Sequence, residues 1–229
     1  MCSDPLAPRC DRADLGAGFS LRASAQADSV RQTSTRIALP PLILACPCAD
    51  SARVVALFDT LVTSALHTGH YTVIPPDTVG PVWKSVRDSL GALYDRRTGQ
   101  FDSAKWYNAL RTITKRLDAD FLLIRRTAED PVPYDHGYVY WYGVSGKVYQ
   151  GEASGTTPVL TFVAALVGAD GRPVLCARGG IRPLLVASFW KSTHPVKPEE
   201  RYRDLSLDSA AVRRVMTAVI ERKPNSICT

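Results

Sequence analysis

The chain has 229 residues, 45% of them hydrophobic, so it can bury a core, and its composition is not that of a disordered chain. Its net charge of +6 favours acidic partners only weakly. The excess is scattered over pairs such as Arg96–Arg97, Arg125–Arg126, Arg213–Arg214 and Arg222–Lys223, which read as a solvated basic surface and not as a nucleic-acid arm.

Residues 1–35 are rich in Ala, Ser, Asp and Arg, contain Pro5, Pro8, Gly16 and Gly18, and show no sustained periodicity. They read as an extended N-terminal arm or tether, followed by a single α/β domain over 36–229. Residues 1–30 carry four aspartates and no apolar stretch of the signal-peptide kind. Cys2, directly after Met1, is the candidate lipidation site of a lipoprotein with an absent or misplaced leader.

Ile37–Leu39 with Leu42–Leu44 reads as a first strand, interrupted at Pro40–Pro41. Asp50 or Ser51 caps a helix whose stripe is Val54, Phe58, Leu61 and Ala65, flanked by Val55, Val62 and Leu66; Gly69 ends it. Tyr71–Ile74 is a second strand, stopped by Pro75–Pro76. Val82, Val86, Leu90 and Leu93 recur at helical spacing. After a turn at Arg97–Gly99, Asp102 or Ser103 caps a helix with Trp106, Leu110, Ile113 and Leu117 on one face. Phe121–Ile124 is a third strand, and residues 129–137 (EDPVPYDHG) read as a loop stiffened by Pro131 and Pro133.

Tyr138 to Tyr149 reads as extended. Asp170-Gly171, between the apolar runs Val159–Val167 and Pro173–Leu175, is a hairpin signal. Ile181–Trp190 continues as a strand with a break at Pro183, and 194–206 reads as a polar loop. A last helix starts at Asp208, with Leu207 and Val212 placed for a hydrophobic staple, buries Val212, Val215, Met216 and Val219, and ends before Pro224. Strands alternate with helices first and antiparallel strands follow, which predicts a mixed β-sheet flanked by helices, α/β (α+β) in class. Neither Ile37–Ala49 nor Pro158–Ala169 reaches the ~20 residues that cross a bilayer.

Three segments carry a family pattern: Arg36-Ile37-Ala38-Leu39, then Gly69-His70-Tyr71-Thr72-Val73-Ile74 after the capped helix, then Ala119-Asp120-Phe121-Leu122-Leu123-Ile124. Ala169-Asp170-Gly171-Arg172-Pro173-Val174-Leu175 and a closing helix complete it. Over residues 36–222 this resembles the small α/β domain shared by the TolB N-terminal domain, the LpoB-type penicillin-binding-protein activators and the CsgG-type curli-assembly lipoproteins. The resemblance implies a noncatalytic, partner-binding module of the bacterial cell envelope.

The richest local cluster is Tyr134, Asp135, His136, Tyr138, Tyr140, Trp141, Tyr142 and Tyr149. On a strand, Tyr138, Tyr140 and Tyr142 would share one face and Trp141 the other. Tyr134, Tyr138, Tyr140, Trp141, Tyr142 and Tyr149 are therefore the candidate partner-binding residues, because Tyr and Trp bury much area and keep a polar tip; an ordinary half-buried strand is the alternative. Glu129, Asp130, Asp135 and His136 could gather a cation, but the prolines between them favour a solvated loop, and no metal site is expected. His67 and His70 sit where histidines neutralise a helix C-terminus.

Six cysteines occur, and Cys10, Cys46, Cys48 and Cys176 are candidate disulfide partners; Cys176 reads equally as a buried thiol, and a zinc site from Cys2, Cys10, Cys46 and Cys48 lacks paired knuckles. Gly179-Gly180 reads as a turn or bulge pair. No nucleophile or phosphate-loop motif appears, so no catalytic residue, no cofactor and no small-molecule substrate is expected. The reading is an extrinsic accessory subunit or adaptor, peripheral to the membrane in the periplasm or envelope and docking on a cell-wall, secretion, respiratory or photosynthetic complex. A thiol-redox or other small enzyme using Cys46 and Cys48, a basic nucleic-acid-binding domain, and a cytoplasmic location are the alternatives.

Overall fold

The computed structural model describes residues 34–45, 51–95, 97–150, 152–187 and 193–224. The arm expected over residues 1–35 lies outside them, except for Ser34 and Thr35. The first strand, β1 (Arg36–Ala38), is half of the expected length, because Pro40 and Pro41 supply no N–H to a ladder. Between them and α1, among the described residues, only Ile43 rejoins the sheet, through a single parallel bridge to Arg126. Helix α1 (Ser51–Thr68) buries Val54, Phe58, Val62 and Leu66, one row at i, i+4 spacing. Leu61 and Ala65 fall on its flank, so the true stripe is turned slightly from the expected one. The helix closes in a Schellman motif: the Tyr71 N–H donates to the Leu66 carbonyl and the His70 N–H to the His67 carbonyl, both at 3.0 Å. The left-handed residue is His70 (φ 62), one position after the expected Gly69.

Strand β2 (Thr72–Ile74) pairs parallel with β1, and Pro76 opens α2 (Pro76–Leu90) at its first turn, where a missing N–H is harmless. Asp102 caps α3 (Ser103–Arg116) by accepting from the Lys105 N–H at 2.9 Å. Strand β3 (Phe121–Asp135) then runs for 15 residues, so the loop expected at 129–137 is for the most part its outer half. The reason lies in β6 (Gly155–Gly168), which pairs antiparallel with β3 from Phe121↔Gly168 to Tyr134↔Gly155. Pro131 faces Pro158 in that ladder, a pair in which neither residue can donate. Both therefore occupy non-hydrogen-bonded register, as does Pro133 two positions on, and the ladder loses nothing.

Strands β4 (Tyr138–Trp141) and β5 (Val144–Lys147) are joined to β3 and to each other by two-residue turns. Both turn residues have positive φ in each, His136 and Gly137 (48° and 76°) and Tyr142 and Gly143 (38° and 81°), which is the type I′ geometry that suits twisted hairpins. The expected Asp170-Gly171 hairpin joins β6 to β7 (Pro173–Pro183). The polar loop expected at 194–206 contains β9 (Thr193–Pro195), paired with β8 (Leu185–Ala187), and a short 3-10 turn at Pro198–Glu200. Helix α4 (Leu205–Ile220) starts three residues before the expected Asp208, because Asp204 accepts from the Ser206 and Leu207 N–H groups. That places Leu207 inside the helix, so it is not the residue before the cap that a staple needs.

The main sheet runs β2-β1-β3-β6-β7, with β4-β5 continuing from the outer end of β3. It is the mixed sheet flanked by helices that the sequence predicts. Alternate residues sort onto its two faces. Ile37, Leu39, Leu123, Phe162 and Ala177 meet α1 and α4, where Phe58 and Phe162 lie 5.1 Å apart. Ala38, Leu122 and Val167 meet α2 and α3, which are locked by an edge-on Trp83–Trp106 pair at 6.0 Å. The outer half of that second face is covered by the β4-β5 hairpin through Val132, Val139, Trp141, Val144 and Val159.

One charge sits within the first face. Arg125, expected on a solvated surface, is completely buried. It donates to Asp59 on α1 at 2.5 Å and to the Pro40 carbonyl at 2.8 Å. Burial pulls its pKa down and Asp59 holds it up. Replacing Asp59 by Ala strands the guanidinium, and a loss of about 3–5 kcal/mol in urea unfolding is expected. The double replacement Arg125→Met with Asp59→Leu should recover most of that loss; a double variant as weak as Asp59→Ala would show that the ion pair is not the cause.

Candidate docking surface

The β4-β5 hairpin is two-sided because its side chains alternate over a packed floor. Val139 and Trp141 point inward and are buried. Tyr138 and Tyr140 point outward, 43% and 71% exposed. Across the strand pair, Lys147 stands over the Tyr138 ring at 5.8 Å, and Tyr140 faces Ser145. The inward side fits because β7 offers two glycines in succession. A Cβ on Gly180 would lie 2.2 Å from the Val144 side chain and 2.9 Å from the Trp141 carbonyl. A Cβ on Gly179, on the opposite face, would lie 2.5 Å from the Ala211 carbonyl of α4. The pair thus lets the hairpin and α4 approach one strand from both sides, next to the register shift between Leu160 and Thr161.

The six candidate aromatic residues therefore separate. Trp141 is not on the surface, because it fills the space above Gly180; its indole N–H has no hydrogen-bond partner among the described residues. Tyr142 does not continue the Tyr138–Tyr140 face, because it has entered the turn. Its ring lies 5.4 Å from the Arg178 guanidinium, and its hydroxyl accepts from Arg178 Nη1 at 3.1 Å. Tyr134 is half-buried against the cluster beneath the hairpin, and Tyr149 is half-buried beyond β5. Two adjoining clefts share Tyr142 and Gly143. One, of about 510 Å³, lies beside Tyr140, Val144 and Ser145. The other, of about 520 Å³, lies between the turn and α4, against Arg178, Arg213, Arg214 and Thr217. Those arginines were not legible as neighbours, since β7 and α4 meet the turn only in the folded chain.

The acidic quartet does not converge. Strand alternation sends Glu129 to Arg201 on one face and Asp130 to Arg178 on the other, the latter at 3.2 Å. Asp135 pairs with His136 at 2.9 Å and with Ser154, and Ser154 followed by His136 holds its carboxyl below the ordinary value. Among the described residues no group of three or more His, Cys, Asp or Glu is placed to hold a metal ion. Cys176 is buried and is not a free thiol. Cys2, Cys10, Cys46 and Cys48 lie outside the described residues. No described helix is long and apolar enough to cross a membrane.

No protein-family model and no curated protein matches the chain. Among solved structures it is similar to the lipoprotein GNA1162 from Neisseria meningitidis, with TM-score 0.36 and 14% identity over 65% of this chain and 80% of that one. It is also similar to LpoB from E. coli, with TM-score 0.31 and 11% identity over 78% and 84% of the two chains. The likeness is weak and concerns the fold alone.

A second buried charge lies in the first turn of α4. Asp208 is buried, and neither carboxyl oxygen has a hydrogen-bond partner among the described residues. Burial raises its pKa to about 7, Arg182 opposes the rise, and Asp204 adds to it. A carboxyl with a folded pKa above its unfolded value of about 4 holds its proton better in the folded state. Its contribution is most favourable below about pH 4, is lost as pH rises towards 7, and is constant above that. Asp208→Asn should therefore raise the urea midpoint at about pH 8 and leave it near wild type at about pH 4. A gain of equal size at both pH values would contradict this origin.

Proposed function

We propose that the chain is a noncatalytic accessory subunit or adaptor of the bacterial cell envelope, and that the outer face of the β4-β5 hairpin docks on a larger membrane-associated complex. The observation that carries the reading is Tyr140, 71% exposed beside Tyr138 on a hairpin whose other face is fully packed. A large aromatic side chain held in water by a rigid strand has already lost much of the freedom that binding would cost it. The resemblance of residues 36–222 to envelope domains supports the compartment. A disulfide at Cys176 would fit an oxidising one. Residues 1–35 act as the tether in this reading, with Cys2 as the lipidated anchor.

Tyr138→Ala with Tyr140→Ala should abolish copurification with the partner complex from mild-detergent extracts, since buried anchors of this kind contribute about 2 kcal/mol or more each. Circular dichroism and the unfolding midpoint should stay at wild-type values, because both side chains point away from the core. Undiminished copurification of the double variant would remove this face from the interface.

A further inference from the structure

The cleft between the Tyr142-Gly143 turn and α4 gathers three guanidiniums, those of Arg178, Arg213 and Arg214, in about 520 Å³. Arg178 already holds one carboxylate, Asp130 at 3.2 Å, and the hydroxyl of Tyr142 at 3.1 Å. Arg214 lays its stem along Gly143 and donates from Nη1 to the Gly180 carbonyl at 3.2 Å, so it is held in place by the hairpin. Among the described residues, neither Arg213 nor Arg214 has a carboxylate partner. Arg214 is thus fixed, Arg213 is exposed next to it, both line one cleft with Arg178, whose carboxylate partner is Asp130, and Thr217 adds a hydroxyl on the same wall. Like charges held together without counterions attract an anion.

We infer that this cleft receives an acidic polypeptide segment of the partner, whose Asp or Glu side chains pair with Arg213 and Arg214. Guanidiniums are apt partners for carboxylates, and the chain already uses that pairing on this wall between Arg178 and Asp130. The cleft has room for a few residues of peptide and not for a duplex, and its walls are arginine, tyrosine and threonine with no lysine. It shares Tyr142 and Gly143 with the cleft beside Tyr140, so one partner segment can cross both. The inference rests on the docking reading only for its place next to Tyr140.

The test is fluorescence anisotropy of a labelled glutamate peptide with the full chain at low salt. Arg213→Glu, an exposed change that should leave the fold intact, is expected to weaken binding by about tenfold or more, and Arg213→Ala with Arg214→Ala by a similar factor. Arg116→Glu, an equal charge change at an exposed position on α3, should show only a small general effect. A fall as large with Arg116→Glu, or no binding by wild type, overturns the inference. So does binding of anionic phospholipid vesicles, duplex DNA or inorganic phosphate that depends on Arg213 while the peptide does not bind. Tyr138→Ala with Tyr140→Ala separates the two readings. If that variant still copurifies with the complex while Arg213→Glu has lost the peptide, the aromatic face fails and the cleft stands; the reverse pattern sinks the cleft alone.

Discussion

The buried Arg125 guanidinium connects elements that local preference would leave apart. Pro40 is buried two residues beyond the end of β1, where its carbonyl has no ladder partner. Arg125 supplies that partner from the middle of β3 and reaches Asp59 on α1 with its other terminal nitrogen. Three segments, the end of β1, α1 and β3, are thereby fixed around one charge. Removing a guanidinium from water is expensive, and the ion pair alone does not make such an arrangement more stable than an apolar one. Its effect is on position. A one-residue slip of β3 would move Arg125 to the opposite face and leave Asp59 and the Pro40 carbonyl without it, so the register of the central strand is strongly specified.

With β3 fixed, the rest follows from alternation along a strand long enough to serve two neighbourhoods. Its inner half packs between α1 and α4 on one side and α2 and α3 on the other. On its outer half the first-face residues Glu129, Pro131, Pro133 and Asp135 are exposed, while on the second face, beyond α2 and α3, the β4-β5 hairpin folds over Val132. Gly179 and Gly180 make that exchange feasible, one clearing space for the Ala211 carbonyl and the other for Trp141. The hairpin is then bound by its buried side and must present its other side to solvent. Exposure of Tyr138 and Tyr140 is therefore a consequence of the packing beneath them.

Elements governed by local chemistry were legible in the sequence. The cap at Asp102, the hairpin turn at Asp170-Gly171, the proline stop after Ile74 and the buried row of α4 all depend on residues within a few positions of each other. What escaped depended on distant partners. The segment 129–137 carries two prolines and reads as a loop until Pro158 is set opposite Pro131, which happens only through pairing with β6. Arg125 looks like surface charge until Asp59, far along the chain, is brought to it. Trp141 and Tyr142 change roles for the same reason. Their alternation was read correctly as far as Trp141, but the turn at Tyr142 and the glycine beneath Trp141 belong to the tertiary structure.

The same distinction governs the charge. A net +6 spread over 229 residues predicts little about recognition, because most long-range charge is screened within about 10 Å at ordinary ionic strength. Folding makes it specific by spending several arginines internally: Arg125 on Asp59, Arg201 on Glu129, Arg178 on Asp130, Arg36 on Asp118. Among the described residues Arg213 and Arg214 gain no such carboxylate, and α4 carries them to the cleft that begins at the hairpin turn. The turn residues Tyr142 and Gly143 border both the aromatic and the basic surface. A change in the hairpin's seating over Gly180 would therefore displace both surfaces together, which couples the packing of Trp141 to whatever either surface holds.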